Sequence, residues 1–156
     1  MDGEANLNKT SDGIRAAGLA AELASAHLLL ELGGVRLDYE SPGDAKLPAD
    51  VETIFALTVR EAVTNIQRHA RATHAQVTLA IAGSEARLVI EDNGCGGVIT
   101  PGNGLTGMRE RLRVLGGDLA ILTAQGRGTR LEAHVELLPV AVDAVRLSDR
   151  DGLIED

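Results

Sequence analysis

Three polar residues, Glu61, Asn65 and His69, are candidates for chemistry because they recur at intervals of four within a helical pattern. Side chains four residues apart lie one above the other on a helix. The same run carries a separate apolar stripe that would anchor the helix in a core, formed by Phe55, Val59, Ala62, Val63 and Ile66. A carboxylate and a carboxamide one turn apart can both direct oxygen at Mg²⁺ or at a water. Taken alone, the three polar residues also fit an ordinary solvated helix face.

A second candidate is the segment Asp92-Asn93-Gly94-Cys95-Gly96, which directly follows an apolar strand pattern. A carboxylate at that position would be partly desolvated and would need a hydrogen-bond donor. The exocyclic amine of a purine is one such donor, and the glycines would let the backbone approach a ligand closely. The alternative is a plain turn, because Asp-Asn-Gly sequences are common between strands.

Two further glycine-rich segments could contact a ligand. Gly102-Asn103-Gly104-Leu105-Thr106-Gly107 precedes a helical pattern, so its amides and the helix start could face an anion. It has neither the spacing nor the lysine of a P-loop, and a flexible loop with a helix cap is the alternative. Gly126-Arg127-Gly128-Thr129 lies between two strand patterns, where a hairpin turn is the simpler interpretation, although Thr129 could hold a water against a ligand.

The elements that must position these segments follow from periodicity and from turn residues. The predicted order is helix, strand, helix, two strands, helix and two strands, with a hairpin around Gly83 and a third helix from about Met108. This order indicates an α/β two-layer sandwich, in which helices cover one face of a mixed β-sheet. The predicted organisation is a disordered start (1–12), a linker helix (13–34), one compact domain (35–139) and a mobile tail (140–156).

Composition excludes several classes of function. One Phe, one Tyr and no Trp leave no aromatic platform for stacking single-stranded nucleic acid, and a net charge of -8 argues against nucleic-acid partners altogether. The lone Cys95 permits no internal disulfide, which fits a reducing compartment. No apolar run reaches the length of a membrane span, and the polar start is unlike a signal peptide. We therefore expect a cytoplasmic chain that makes no membrane contact itself.

Taken in order, the four segments resemble the ATP-binding catalytic domain of bacterial sensor histidine kinases, within the wider family shared by gyrase, Hsp90 and MutL. The stretch from Glu61 to His69 is similar to the asparagine box of that family. The glycine segments resemble its glycine boxes, namely Asp92-x-Gly94-x-Gly96, Gly102-x-Gly104 and Gly126-x-Gly128-Thr129. The sequence from Gly104 to Arg111, which follows a short loop, is similar to the corresponding sequence of the NarX and DesK subfamily.

The resemblance implies that the cofactors are ATP and Mg²⁺. Asp92 would accept a hydrogen bond from the adenine amino group, beside Gly94 and Gly96, and Thr129 would support the adenine pocket. An acceptor at Asp92 would favour ATP over GTP, because guanine would place its carbonyl oxygen, which is also an acceptor, against the carboxylate.

The resemblance also implies a role for each residue near the phosphates. Asn65 would bind the Mg²⁺ that bridges the phosphates, and Glu61 would polarise the attacking group or position a water on the metal. Arg68 and His69 would lie near the phosphates. A lid would cover them, formed by Gly102, Gly104, Leu105, Thr106 and Gly107.

The implied enzyme is the catalytic domain of an ATP-dependent protein histidine kinase, but the acceptor is missing. None of the four histidines stands in an acceptor-box context, so the phosphorylated histidine would lie on a dimerisation segment outside this chain. The implied partners are those dimerisation and phosphoacceptor helices and, indirectly, a response regulator. The resemblance also allows a parent protein that is anchored in a membrane. Without the acceptor hairpin we expect a monomer.

Two alternatives remain open from the sequence. One is a serine kinase acting on a partner protein, as in anti-sigma factors of the same superfamily. The other is a non-enzymatic module that binds nucleotide and serves as an interaction surface.

Two departures from the family pattern also stand out. No phenylalanine box is visible, and Cys95 occupies a position inside the first glycine box where a polar or basic residue would be more ordinary.

Overall fold

A five-stranded mixed sheet forms one layer of the protein. The computed structural model describes residues 18–42, 46–96 and 103–137. The strands lie in the order β1-β2-β3-β5-β4, with bounds Arg36–Glu40 (β1), His74–Ala82 (β2), Glu85–Asp92 (β3), Asp118–Thr123 (β4) and Thr129–Glu136 (β5). β1 and β2 are parallel, and the other neighbours are antiparallel. The predicted hairpin is β2–β3, which turns at Gly83 and Ser84.

Within the described ranges, three helices form the second layer. α1 covers residues 18–32, α2 is Ala49–Asn65, and α3 is Asn103–Val114. α2 continues directly into one π-helical turn, Ile66–Ala70. Phe55 and Val59 of α2 are fully buried, together with Leu112 of α3, in one core cluster that also contains the sheet residues. The predicted two-layer α/β sandwich is therefore confirmed.

Alternation along the strands separates the two faces of the sheet. In β3, Ala86, Leu88 and Ile90 are buried against the helices, so Asp92 continues their parity and faces the same side. The opposite face carries a network of charged side chains on β3 and β5, with ion pairs among Arg87, Glu132, Arg130, Glu85 and Glu91. Such partly exposed pairs add little stability, so the apolar face holds the fold together.

α1 packs into the core along its own apolar stripe. The prediction treated residues 13–34 as a linker helix outside the domain, but Leu19, Leu23, Ala26 and Leu30 are all buried in the same cluster as α2 and the sheet. The ion pair between Glu22 and Arg60 and the hydrogen bond from the Leu19 amide to Glu52 fix α1 along α2. Residues 1–17 and 138–156, which include the predicted disordered start and mobile tail, lie outside the described residues.

α3 starts five residues earlier than the sequence predicted. The glycines at 104 and 107 suggested a loop, because glycine disfavours helices by about 1 kcal/mol relative to alanine. The structure places both glycines within α3. Leu105, Met108 and Leu112 are buried at intervals of three and four, so packing against the core outweighs the low propensity of the glycines.

Candidate functional site

Asp92 ends β3 on the helix-covered face and is half-buried. Its Oδ1 accepts a hydrogen bond from the Gly94 amide at 2.8 Å, and the backbone of Thr129 donates a second one. Burial raises the pKa of Asp92 above its ordinary value of 3.8, and the two backbone donors oppose that shift. Because an ionised carboxylate has about four acceptor positions, Asp92 retains capacity for a donor from a ligand.

Asp92, Thr129 and Thr123 form a row across three strands. Thr129 is the register partner of Asp92 on one side and of Thr123 on the other. A groove of about 690 Å³ opens at this row, and its lining also includes Glu91 and Arg130 from the opposite face of the sheet. A volume of this size is typical of sites for small organic ligands. The groove therefore brings predicted residues from the first and the last glycine boxes to one place.

The two glycine boxes touch each other through their backbones. A Cβ at Gly96 would collide with the Ala124 and Gly128 backbones, and a Cβ at Gly128 would collide with the carbonyl oxygen of Asp92. The Gly126 amide also donates to the carbonyl of Cys95 at 2.6 Å. Glycine is thus required at 96 and 128 so that the loop after β3 and the β4–β5 turn can approach each other.

Asn93 anchors the same loop, a role that the sequence did not predict. Its Oδ1 accepts from the amides of Thr73 and His74, both at 2.9 Å, and its Nδ2 donates to the Thr73 hydroxyl. These bonds tie the end of β3 to the start of β2. The sequence gives no sign of these contacts, because the partners of Asn93 lie about 20 residues earlier in the chain.

Glu61 lies against the first turn of α3. Its carboxylate occupies the place that a Cβ at Gly104 would take, with Oε2 2.8 Å from that position. The structure therefore brings together the predicted catalytic carboxylate and the second glycine box. Among the other predicted lid residues, Leu105 is buried in the core, and Thr106 is exposed. Gly102 lies outside the described residues.

Asn65 is the last α-helical residue before the π-helical turn, and it is partly buried. The turn widens the helix immediately after Asn65, and such turns are frequent at functional sites. Arg68 lies on this turn and is exposed, whereas the side chain of His69 lies outside what the structure describes. Arg71 closes the turn in the left-handed conformation, with φ of 53°.

The site has two parts. Strand and turn residues alone line the groove, so neither Glu61 nor Asn65 contributes to it. The carboxylate of Glu61 and the start of α3 form the second part, on the helical layer. Within residues 18–42, 46–96 and 103–137, no three His, Cys, Asp or Glu side chains cluster as metal ligands.

Comparison with known families decides the assignment. Residues 50–139 match the family described as histidine kinase-, DNA gyrase B-, and HSP90-like ATPase. The chain belongs to this ATPase family. The description of this family as ATPases supports the use of ATP by this domain. No helix of the described residues is long and apolar enough to cross a membrane.

Relatives of this ATPase domain include sensor histidine kinases. Sensor histidine kinase YvfT of Bacillus subtilis is 34% identical over 116 residues, which is 72% of this chain and 31% of YvfT. Nitrate/nitrite sensor protein NarX of Escherichia coli is 33% identical, with 67% of this chain and 18% of NarX covered. Sensor histidine kinase DesK of Bacillus subtilis is 31% identical, with 69% and 30% covered. The chain thus corresponds to the ATP-binding catalytic domain of such kinases and spans less than a third of their length.

Solved structures support the fold assignment independently. The histidine kinase domain of the blue-light activated kinase EL346 from Erythrobacter litoralis superposes with a TM-score of 0.64 at 21% identity, covering 79% of this chain and 61% of that one. The histidine kinase AdeS of Acinetobacter baumannii gives a TM-score of 0.62 at 16% identity, covering 79% and 64%. At these identities the likeness concerns the fold alone.

Proposed function

We propose that this chain binds ATP in the groove beside Asp92 and, within a longer two-component sensor kinase, transfers the γ-phosphoryl group to a histidine of a separate dimerisation segment. The observation that carries the proposal is the half-buried carboxylate of Asp92 on the helix-covered face of the sheet. Its spare acceptor capacity suits the adenine amino group. Guanine would present a carbonyl oxygen there, and two facing acceptors repel each other.

The helical part of the site would then handle the phosphates. Asn65 would hold a Mg²⁺ ion through its side-chain oxygen, with phosphate and water oxygens completing the shell. Glu61 would polarise the attacking imidazole or position a water on the metal. Arg68 and His69 would lie near the phosphates, and the lid (Gly102, Gly104, Leu105, Thr106 and Gly107) would cover them. Positioning and neutralisation of charge supply most of the catalysis in phosphoryl transfer.

The surroundings of the site are part of the same proposal. The partners would be the dimerisation and phosphoacceptor helices of a sensor kinase and, through them, a response regulator. The domain would act in the cytoplasm and remain monomeric without those helices. Because α1 shares the core with α2, we place the start of the folded unit at α1 rather than after it.

Calorimetry of ATP binding, with and without Mg²⁺, tests the proposal. Asp92→Ala removes the acceptor for the base, and its matched control is Glu85→Ala, whose carboxylate lies at the other end of β3 and outside the groove. We expect Asp92→Ala to weaken binding about 10- to 100-fold, the equivalent of one hydrogen bond to a charged group. Glu85→Ala should bind ATP with the native affinity. Asn65→Ala should remove the Mg²⁺ dependence, whereas the neighbouring exposed Gln67→Ala should retain it.

Transfer is measured by adding a purified acceptor-helix segment of a related kinase and following its labelling from γ-labelled ATP. Glu61→Gln should bind ATP yet fail to label the segment. A chain that binds no nucleotide would refute the proposal in favour of an interaction module. Labelling of a serine on a partner, with none on the histidine, would instead identify a serine kinase.

A further inference from the structure

The side chain of Arg109 connects the two parts of the site. Arg109 lies in the middle of α3, and its Nε and Nη2 donate to the carbonyl oxygen of Leu119 at 3.1 and 2.9 Å. A guanidinium can only donate and a carbonyl oxygen can only accept, so the direction of both hydrogen bonds is fixed. Leu119 belongs to β4, which lines the groove from Ile121 onward. Arg109 therefore joins the helix that faces Glu61 to a strand that borders the groove.

Leu119 is a firm point of attachment for this arginine. Its side chain is 2% exposed in the core, and its amide donates to the Asp118 carboxylate at 2.8 Å. Arg109 also forms an ion pair with Asp118 at 3.6 Å, but Arg113 lies closer to the same oxygen, at 3.2 Å. Arg113 thus pairs with the carboxylate, whereas Arg109 bonds to the Leu119 carbonyl.

The position of Arg109 on α3 determines what this attachment restrains. The buried stripe of α3 packs by apolar contacts, which are non-directional and allow a helix to turn or slide. Gly104 and Arg109 are five residues apart, so they lie about 140° from each other around the helix, on opposite flanks of that stripe. Gly104 faces the Glu61 carboxylate on α2, and Arg109 is bonded to β4. A rotation of α3 that moved Gly104 away from Glu61 would break the bonds of Arg109.

We propose that Arg109 is a positioning residue for phosphoryl transfer, whose two hydrogen bonds to β4 fix the rotation of α3 and so keep its first turn against the Glu61 carboxylate. The proposal rests on the proposed function, since it assumes that Glu61 takes part in transfer. It goes beyond that function by giving a role to a residue outside both the groove and the lid. Because Arg109 acts through α3, its loss should slow transfer and spare the binding of the base.

The test separates the rate of transfer from the affinity for nucleotide. Arg109→Ala removes both bonds to Leu119. Labelling of the acceptor-helix segment at saturating ATP should fall about tenfold or more, because a small misplacement of a catalytic group is costly. The dissociation constant of ATP, measured by calorimetry, should change by less than about threefold, since the base is held within the sheet.

Two controls remove an ion pair but keep the bond to the carbonyl. Arg113→Ala deletes the closer partner of Asp118, and Asp118→Asn removes the charge while retaining an acceptor for the Leu119 amide. Both variants should label at the native rate. Arg109→Lys keeps the positive charge but lacks the planar fork of donors, so its labelling should lie between the native rate and that of Arg109→Ala. If Arg109→Ala does not fold, the comparison of Arg109→Lys with Arg113→Lys carries the test.

Two measurements distinguish positioning from a general loss of stability. Hydrogen exchange of the α3 amides should be faster in Arg109→Ala than in Arg113→Ala, because only the first variant frees the helix from β4. In a Gly104→Ala background, Arg109→Ala should lower labelling by a smaller factor than in the native chain. Both substitutions displace the same contact with Glu61, so their effects should not multiply.

The outcomes separate this inference from the proposed function. Native labelling by Arg109→Ala, or an equal fall in the matched Arg113 variant, would overturn the role of Arg109. An ATP affinity that falls by the same factor as labelling would also overturn it, because the arginine would then support the groove itself. Each of these results leaves transfer by the native chain intact. If the native chain labels no histidine, the proposed function is overturned, and the present inference with it.

Discussion

The contact between Gly128 and the end of β3 predicts a sharp difference between two glycines of one turn. Gly126 and Gly128 have nearly equal φ values of 79° and 80°. A Cβ at Gly126 would meet nothing within 4 Å, whereas a Cβ at Gly128 would collide with the carbonyl oxygen of Asp92 and lie 3.2 Å from the Asn93 Cα. Alanine at either position must therefore adopt the same unfavourable left-handed backbone conformation. Only alanine at 128 also collides with other backbone atoms.

The magnitudes follow from these two contributions. A left-handed conformation costs an alanine about 1–2 kcal/mol, and the loss of freedom in the unfolded chain returns about 0.4–1 kcal/mol. Gly126→Ala should therefore lower the free energy of unfolding by about 1 kcal/mol. Gly128→Ala meets backbone atoms that cannot rotate away, so β3 and the turn must separate. Leaving one backbone group there without its hydrogen bond costs a further 1–3 kcal/mol or so.

Urea unfolding of the two variants, followed by circular dichroism, measures this difference as a shift of the midpoint at constant slope. The same separation moves Thr129 away from Asp92, so ATP affinity measured by calorimetry should fall about tenfold or more in Gly128→Ala and change little in Gly126→Ala. Free energies of unfolding that agree within about 0.5 kcal/mol, well below the collision cost, would show that the turn relaxes freely and that the two boxes do not hold each other in place.

Two further predictions concern the carboxylates of the site. Gly104→Ala places a methyl group against the Glu61 carboxylate, which can swing away, so stability should be retained or rise by up to about 1 kcal/mol, as in the helical control Gly107→Ala. Histidine labelling should nevertheless fall at least tenfold, and normal labelling would show that the placement of Glu61 is not critical. Asp92→Asn should raise the melting temperature at pH 7, because the raised pKa of Asp92 means that folding penalises its ionised form. The gain should shrink as the pH falls through the folded and then the unfolded pKa, where the native carboxyl is neutral in both states, and a gain that stays constant with pH would contradict the assignment.

Local patterns predicted much of this fold. The period-two stretches around Gly83 gave the β2–β3 hairpin, and the apolar stripe from Phe55 to Ile66 gave α2 with its buried face. Both signals are local, since a strand or a helix repeats its contact with the core every two or every three to four residues. The order of the four boxes predicted the family, and the fold of that family agrees with the two-layer α/β sandwich.

Contacts between distant segments explain what the sequence could not predict. α3 begins at Asn103 because Leu105 is buried in the core there. Helix propensities describe single residues and do not include such a tertiary contact. α1 was predicted as a linker helix, and its pairing with α2 through Glu22 and Arg60 is visible only once the two helices lie side by side. The side-chain contacts of Thr123 and Asn93 were not predicted for the same reason, since their partners lie on other strands or in a turn.

The two parts of the site are held by different kinds of interaction, and this separation bears on how the domain works. The groove is fixed within the sheet by backbone bonds to Asp92 and by the contact between Gly96 and Gly128. Glu61 and Asn65 belong to α2, and Gly104 belongs to α3, which packs on α2 through apolar side chains and is tied to β4 by the hydrogen bonds of Arg109. Backbone hydrogen bonds and glycine contacts fix a geometry closely, whereas apolar contacts are non-directional. A nucleotide that bridges both parts would therefore be recognised by a preformed edge of the sheet, while small shifts of α3 against α2 would bring Glu61 into or out of place for transfer.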